Sequence, residues 1–135
     1  MDWQNLAYAV IQVAHNFGAV AVVGGAMGAL WLGPQGTRRP LAWTVLAGWA
    51  AQAGSGGAFG AVSWLYYGQF PDIHGIAVAA LLVKMACAAS GFVLVALYLY
   101  RGTRWIAPVQ QTVWRALALL AVTALTAAAF LRWFS

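Results

Sequence analysis

The sequence predicts an all-α integral membrane protein, with residues 1–135 forming one transmembrane domain. Hydrophobic residues make up 64% of the chain and charged residues only 7%, and the mean hydropathy is +0.78. A water-soluble core of this length does not need such a composition. The apolar residues also fall into four long runs separated by short breaks. These observations predict an antiparallel up-down bundle of four transmembrane helices.

Each apolar run is long enough to form a membrane-spanning helix. The runs cover residues 6–32, 41–67, 73–100 and 109–134. All exceed the ~20 residues that a helix needs to cross ~30 Å of hydrocarbon. The breaks between them are rich in proline, glycine and polar residues, which favour the ends of helices.

The basic residues predict the orientation of the bundle. The first break contains Arg38 and Arg39 and the third contains Arg101 and Arg104, whereas the second contains Asp72 and no basic residue. Because basic loops stay in the cytoplasm, the first and third loops are predicted inside and both termini outside (N-out/C-out). The tryptophans fall into two matching belts, with Trp3, Trp64 and Trp133 at the outer interface and Trp31, Trp43, Trp105 and Trp114 at the inner one. We therefore expect a multi-pass protein of a bacterial-type inner (plasma) membrane, in contact with the lipid bilayer.

The composition also excludes several classes of function. Cys87 is the only cysteine, so the sequence has no intrachain disulfide, no thiolate zinc site and no CxxCH haem attachment motif. Asp2 and Asp72 are the only acidic residues, which argues against paired-carboxylate and hard-metal catalysis. With so few charges, the net charge of +5 reflects membrane topology, and no nucleic-acid partner is expected.

A buried polar layer is predicted around Lys84, which lies near the middle of the third run. A lysine at that depth costs a few kcal/mol even on lenient insertion scales, so it should be paired, hydrated or functional. At ~1.5 Å of rise per residue, Lys84 lies roughly 16 Å and His15 roughly 14 Å below the outer ends of their helices, which is the same level. The second helix passes this level near Gln52 and Ser55, and the fourth near Thr123 and Thr126. Within the first helix, Tyr8, Gln12, His15 and Asn16 follow one another at i+3 and i+4 steps and are predicted to form one inward-facing polar stripe.

Several roles are open for each of the two central residues. His15 is a candidate axial ligand of haem iron, a proton carrier, or a hydrogen-bonded packing residue. Lys84 is a candidate partner for a haem or lipid carboxylate, an unusual axial donor, a proton relay, or a structural cation capped by Gln52, Asn16 and backbone carbonyls. His74 is a weaker candidate for the iron, because it begins the third helix more than two helical turns from the level of His15.

Glycines on the first two helices have the spacing of helix-packing motifs. Gly24 and Gly28 form one small-xxx-small pair, and Gly56 and Gly60 form another. This spacing predicts close helix packing, a homo-oligomer or a larger membrane complex. The alternative is that the missing side chains leave room for a flat haem or quinone against the backbone.

Two short motifs resemble those of a known group of membrane proteins. His15 is followed in the same helix by Gly24-Gly25, and Lys84 lies within Leu81-Leu82-Val83-Lys84-Met85 in the third helix. This arrangement resembles the small membrane proteins of the copper-resistance D and HemJ-like group. The resemblance implies a compact helical bundle and, for HemJ-like members, a bound haem b and oxidation of protoporphyrinogen. It also implies that His15 and Lys84 are the important pair.

These features together predict a membrane protein of electron transport that binds haem b or a quinone in its polar layer. The predicted cofactor-binding residues are His15, Lys84, Asn16, Gln12, Gln52 and Ser55. Any enzymatic activity would be of the oxidoreductase type. One alternative is a non-catalytic accessory subunit of a larger membrane complex, and another is a metal or small-solute carrier.

Overall fold

The protein is all-helical. The computed structural model describes residues 2–33 and 38–134, and within these ranges it contains four α-helices and no strand. The helices are α1 (Trp3–Trp31), α2 (Arg38–Tyr67), α3 (Ile76–Arg101) and α4 (Ala107–Phe134), and a short 3-10 turn (Gly102–Arg104) follows α3. The all-α prediction is therefore confirmed. Residues 34–37 of the predicted first break lie outside the described residues.

The helix ends differ from the predicted ones by a few residues, and prolines explain two of the differences. Pro40 and Pro108 were expected to lie in breaks, but they fall in the first turns of α2 and α4. Proline is tolerated there because the first N–H groups of a helix have no partner inside it. The break between α2 and α3 contains Gly68 and Gly75, which have positive φ angles of 66° and 53°. Glycine adopts these angles without the strain that a Cβ atom would cause.

Three of the four helices are long and apolar enough to cross a membrane. They are α1, α3 with its 3-10 extension (Ile76–Arg104), and α4. α2 has 30 residues but a more polar composition, because it contains Gln52, Ser55, Ser63 and five glycines. The other three helices expose large apolar side chains such as Phe17, Leu82 and Leu119, and this surface suits contact with lipid tails.

The helices pack as two antiparallel hairpins. α1 packs chiefly on α2, and α3 packs chiefly on α4. At one end of the first hairpin the Gln4 amide donates a hydrogen bond to the Tyr67 hydroxyl, and near the other end Gly25 lies against Val45. The hairpins meet through α2 with α3 and through α1 with α4, contacts that are less extensive than those within each hairpin.

Large buried side chains are concentrated in one half of the bundle. We call this the packed half; it holds the C-terminal ends of α1 and α3 and the N-terminal ends of α2 and α4. The four largest fully buried side chains are here: Trp114, Leu117, Val45 and Val95. In the opposite, open half the buried apolar residues of α3 and α4 are alanines: Ala77, Ala80, Ala124 and Ala127.

Trp114 is not an interfacial residue, and the prediction that placed it in the inner aromatic belt is wrong. Its side chain is fully buried, and its ring lies edge-on to Tyr98 with 5.1 Å between centroids. Trp114 lies on the face of α4 that is turned toward the other helices, which the position along the helix alone does not reveal. Trp31 and Trp133 are 92% and 84% exposed, as expected for residues at a membrane interface.

The close helix contacts use different glycines from the predicted pairs. A Cβ atom on Gly48 would lie 2.9 Å from the carbonyl oxygen of Gly18, so α1 and α2 approach backbone to backbone at this point. By contrast, a Cβ atom on Gly24 or Gly56 would meet nothing within 4 Å, because these residues face outward. Of the two predicted pairs, only Gly28 lies against another helix within the described chain, because its added Cβ atom would be 3.8 Å from the Leu41 side chain, an ordinary contact. The prediction that these pairs mediate a homo-oligomer stays a prediction.

Candidate functional site

Three helices bring polar side chains together at the border between the two halves of the bundle. His15 of α1 lies between Ser55 of α2 and Lys84 of α3. Its Nε2 atom is 2.8 Å from Lys84 Nζ, and its Nδ1 atom is 2.7 Å from Ser55 Oγ. Since helical rise is fixed, the sequence could place these residues at one level, and the structure adds that they touch. We call this set the His15–Lys84 site.

The hydrogen bonds of Ser55 indicate which nitrogen of His15 carries the proton. The Ser55 hydroxyl donates to the carbonyl oxygen of Ala51, one turn earlier in α2. Its oxygen therefore accepts a hydrogen bond from His15, which places the imidazole proton on Nδ1. The remaining nitrogen, Nε2, then carries the lone pair that accepts a hydrogen bond from Lys84. We infer a neutral His15 beside a donating Lys84.

α2 holds His15 through a second contact as well. The buried Gln52 side chain donates a hydrogen bond from Nε2 to the backbone carbonyl oxygen of His15. Phe59 lies edge-on to the His15 ring, with 5.9 Å between centroids. Gln52 and Ser55, one turn apart on α2, thus fix both the backbone and the ring of His15.

Lys84 is a half-buried cation with few partners. Among the described residues, its Nζ atom makes a single hydrogen bond, to His15. An ammonium group has three N–H donors, so two of them remain for another acceptor. The two acidic residues of the chain lie at the end of the bundle, away from Lys84. Asp2 caps the N-terminus of α1, and Asp72 lies 3.2 Å from His74 in the exposed segment before α3. Neither acidic side chain therefore neutralises Lys84.

Two of the predicted site residues face away from the other helices. Gln12 and Asn16 are exposed and bond to each other, with 2.7 Å between Nε2 and Oδ1. The expectation that they face the bundle interior is wrong, because successive residues are rotated by about 100° and Asn16 therefore points away from the direction of His15. Within the described part of the chain, no hydrogen bond joins either of them to Lys84.

The fourth helix does not contribute the predicted threonines. Thr123 and Thr126 are exposed, and the Thr126 hydroxyl donates to the carbonyl oxygen of Val122 in its own helix. Residues of α4 that face the bundle at this level are alanines, including Ala121 and Ala124. The prediction that every helix adds polar atoms to this layer is wrong for α4.

A second polar cluster, in the packed half, has no distinct sequence signal. Arg38 is only 6% exposed; its guanidinium donates to Gln111 Oε1 at 2.6 Å and to the carbonyl oxygen of Ala29 at 3.4 Å. From the sequence, Arg38 looks like a loop arginine equivalent to Arg39. The structure buries Arg38 and leaves Arg39 exposed, because α2 begins at Arg38 and turns its side chain inward. A cation near the C-terminus of α1 is also favoured by the helix dipole.

The donor set offers little support for a bound metal ion. In the described residues, no three His, Cys, Asp or Glu side chains lie close enough together to hold one. His74 lies in an exposed segment with Asp72, apart from His15. Iron at this site would therefore depend on His15 as its protein ligand.

No protein-family model, curated protein or solved structure matches this chain. The resemblance to copper-resistance D and HemJ-like proteins, carried by His15 and Lys84, therefore stays a prediction.

Proposed function

We propose that the protein is a membrane electron-transfer protein in which the His15–Lys84 site binds a quinone. The observation that carries this proposal is that, among the described residues, the half-buried Lys84 Nζ atom makes one hydrogen bond, to His15 Nε2, and neither acidic side chain of the sequence lies beside it. A cation at membrane depth is stabilised by a strong acceptor. A quinone oxygen is such an acceptor, and a quinone molecule would reach the site through the lipid phase.

The arrangement of donors suits the chemistry of quinone reduction. Negative charge develops on the quinone oxygens as electrons arrive, and an ammonium group already in position stabilises it. Conversion to the quinol takes up two electrons and two protons. Lys84 would supply one of these protons from Nζ, and water would supply the second and reprotonate Lys84; His15 Nε2 lies 2.8 Å from Nζ, within reach for proton exchange. The electrons come from or pass to a redox partner.

Haem b would require a rearrangement of these side chains. An axial histidine needs a free ring nitrogen, but Nε2 of His15 accepts a hydrogen bond from Lys84 and Nδ1 is bonded to Ser55. Iron ligation would require Lys84 to leave Nε2. Haem b thus remains the expectation of the resemblance, and the tests below treat it as a separate outcome.

Quinone binding can be measured on the detergent-purified protein with ubiquinone-1 and menadione as probes. Lys84→Met keeps the length of the side chain but removes the donors, so we expect both probes to bind about 10- to 100-fold more weakly. Val83→Met introduces the same side chain at the neighbouring, exposed position and should leave binding unchanged. Lys84→Arg should restore binding only in part, because a planar guanidinium has a different shape. Equal affinities for the wild type and Lys84→Met would contradict the proposal.

Two further readouts separate the quinone proposal from its alternatives. A Soret band that disappears in His15→Ala would identify haem b as the cofactor. A thermal melt distinguishes a functional from a merely structural cation: removing a buried charge often leaves a fold as stable or more stable. A more stable Lys84→Met protein with unchanged probe binding would therefore leave Lys84 without a role in cofactor binding.

A second candidate function is that of a non-catalytic subunit of a larger membrane complex. The observation that favours it is a set of outward-facing glycines, where an added Cβ atom would meet nothing in the chain: Gly24, Gly54, Gly56 and Gly57. Such surfaces allow close approach of another helix, from a second copy or a different protein. A colourless protein that copurifies with a large partner, and loses it in Gly56→Leu, would favour this function.

We also propose that α2 completes a four-span, N-out/C-out topology in a bacterial-type inner membrane. α2 lies between α1 and α3, is as long as the other helices and buries Gln52, Ser55 and Ser63 on its inner face. Polar groups in a membrane helix are tolerated when they face the bundle interior. The basic loops predict the sidedness.

A further inference from the structure

The packed half of the bundle ends in a small pocket of mixed polar and apolar lining, separate from the His15–Lys84 site. It has a volume of about 140 Å³ and is partly open to the surroundings. Residues from the start of α2, the end of α3, the 3-10 turn and α4 line it: Arg39, Tyr98, Leu99, Thr103 and Gln110.

The floor of this pocket is held by a buried glutamine. Gln110, 5% exposed, donates from Nε2 to the carbonyl oxygens of Gly102 and Trp105, both at 2.9 Å. Its Oε1 atom accepts a hydrogen bond from the Tyr98 hydroxyl at 3.4 Å. The turn also lies directly on the Tyr98 ring, since a Cβ atom on Gly102 would be 2.8 Å from it. Thr103 is therefore carried on a turn that is fixed against α3 and α4.

Positive charge collects around the pocket without acids to balance it. Arg39 lines the pocket, and its hydrogen bond to the carbonyl oxygen of Leu99 is long at 3.4 Å. Arg101 and Arg104 are close to Thr103 in the sequence and are exposed, but only Arg39 lines the pocket, and the Arg101 guanidinium lies over the Tyr100 ring, 5.7 Å from its centroid. Both acids of the chain precede the N-termini of α1 and α3, at the opposite end of the bundle. The counter-ion for these arginines must therefore come from outside the chain.

We propose that this pocket binds a phosphate group, supplied by an anionic phospholipid of the surrounding leaflet. A guanidinium offers paired N–H donors that match phosphate oxygens, and the Thr103 hydroxyl adds another donor. The position of the pocket favours lipid over free phosphate. Exposed Trp31, Tyr100 and Ile106 lie at the same end of the bundle, which is typical of the level of lipid headgroups.

Native mass spectrometry from detergent tests the proposal directly. The wild-type protein is incubated with phosphatidylglycerol or phosphatidylcholine, and the fraction with bound lipid is measured. We expect preferential retention of phosphatidylglycerol, reduced about fivefold in Arg39→Gln and partly recovered in Arg39→Lys. Arg115→Gln removes an exposed arginine of α4 that does not line the pocket and should retain the lipid like the wild type.

Three results would overturn the proposal. One is equal retention of the two lipids by the wild type. Another is the same loss of phosphatidylglycerol in Arg115→Gln as in Arg39→Gln, which would indicate general charge attraction. The third is binding of inorganic phosphate that depends on Arg39 without retention of phosphatidylglycerol, which would exclude the lipid as the source. Thr103→Val, which also removes a donor, should weaken lipid retention without changing the net charge.

Discussion

The two ring nitrogens of His15 make different hydrogen bonds. In the tautomer that we infer, Nδ1 donates to Ser55, which orients the ring, and Nε2 is left to accept from Lys84. The orientation matters because a rotated or tautomerised imidazole would present an N–H group to the ammonium, which has no lone pair to accept it. Ser55 therefore acts as a positioning residue for Lys84 through His15.

The role of Ser55 gives a prediction at the scale of a single residue. In Ser55→Ala the Nδ1–H group of His15 loses its acceptor, so we expect a loss of about 1 kcal/mol in unfolding free energy. Nitrogen-15 NMR of labelled histidine should show the Nδ1–H tautomer in the wild type and a mixture in the variant. Ser90→Ala, at an exposed position of α3, serves as the control and should change neither measurement. An unchanged tautomer in Ser55→Ala would contradict the assigned direction of the hydrogen bond.

At the scale of the helices, the first hairpin depends on a close approach of two backbones. Gly48 faces the carbonyl oxygen of Gly18, and on the other side of the same contact Gly25 faces Val45. Such an approach increases van der Waals contact between helices, which matters in lipid because the hydrophobic effect does not drive helices together there. The missing Cβ atoms are therefore part of the interface.

This contact predicts opposite effects for two glycines of α2. A Cβ atom on Gly48 would lie 2.7 Å from Val22 and 2.9 Å from the carbonyl oxygen of Gly18, so Gly48→Ala should destabilise the protein by about 1–3 kcal/mol. Gly57→Ala adds a methyl group in open space and should be neutral or stabilising by up to about 1 kcal/mol. Thermal melts in detergent compare the two variants. A destabilising Gly57→Ala would indicate that another chain covers that face.

The sequence predicted the features of the helices that depend on length and rise, and it missed those that depend on rotation. The common level of His15 and Lys84 follows from the constant rise of a helix. The direction in which Asn16 and Gly56 point depends on which neighbours each helix meets, and apolar residues on all sides of a membrane helix give no periodic pattern to indicate it. Arg38 and Arg39 show the same limit, since only the start of α2 decides which of them is buried.

At the scale of the whole molecule, the open question for function is whether α2 crosses the membrane. Its composition is less apolar than that of the other three helices, but its polar residues lie on the inner face. If α2 spans, Arg39 at the start of α2 and Arg101 at the end of α3 lie on one side of the membrane, and the segment with Asp72 lies on the other.

Cysteine labelling in intact cells tests this topology. In a Cys87→Ala background, a membrane-impermeant maleimide should label the Asp72→Cys protein from outside. The Leu32→Cys and Thr103→Cys proteins should react only after the cells are permeabilised. All three positions are exposed in the structure. Labelling of Leu32→Cys and Asp72→Cys from the same side would show that α2 does not span, and a fully inverted pattern would reverse the predicted sidedness.

The division of the bundle into two hairpins has a consequence for biogenesis. His15 and Ser55 belong to the first hairpin, whereas Lys84 belongs to the second. If the hairpins insert one after the other, Lys84 enters the bilayer before it has met its acceptor, and its cost of a few kcal/mol is relieved only when the hairpins associate. The contact between His15 and Lys84 would thereby favour the assembled bundle over separated hairpins, and the site would form in the last step of assembly.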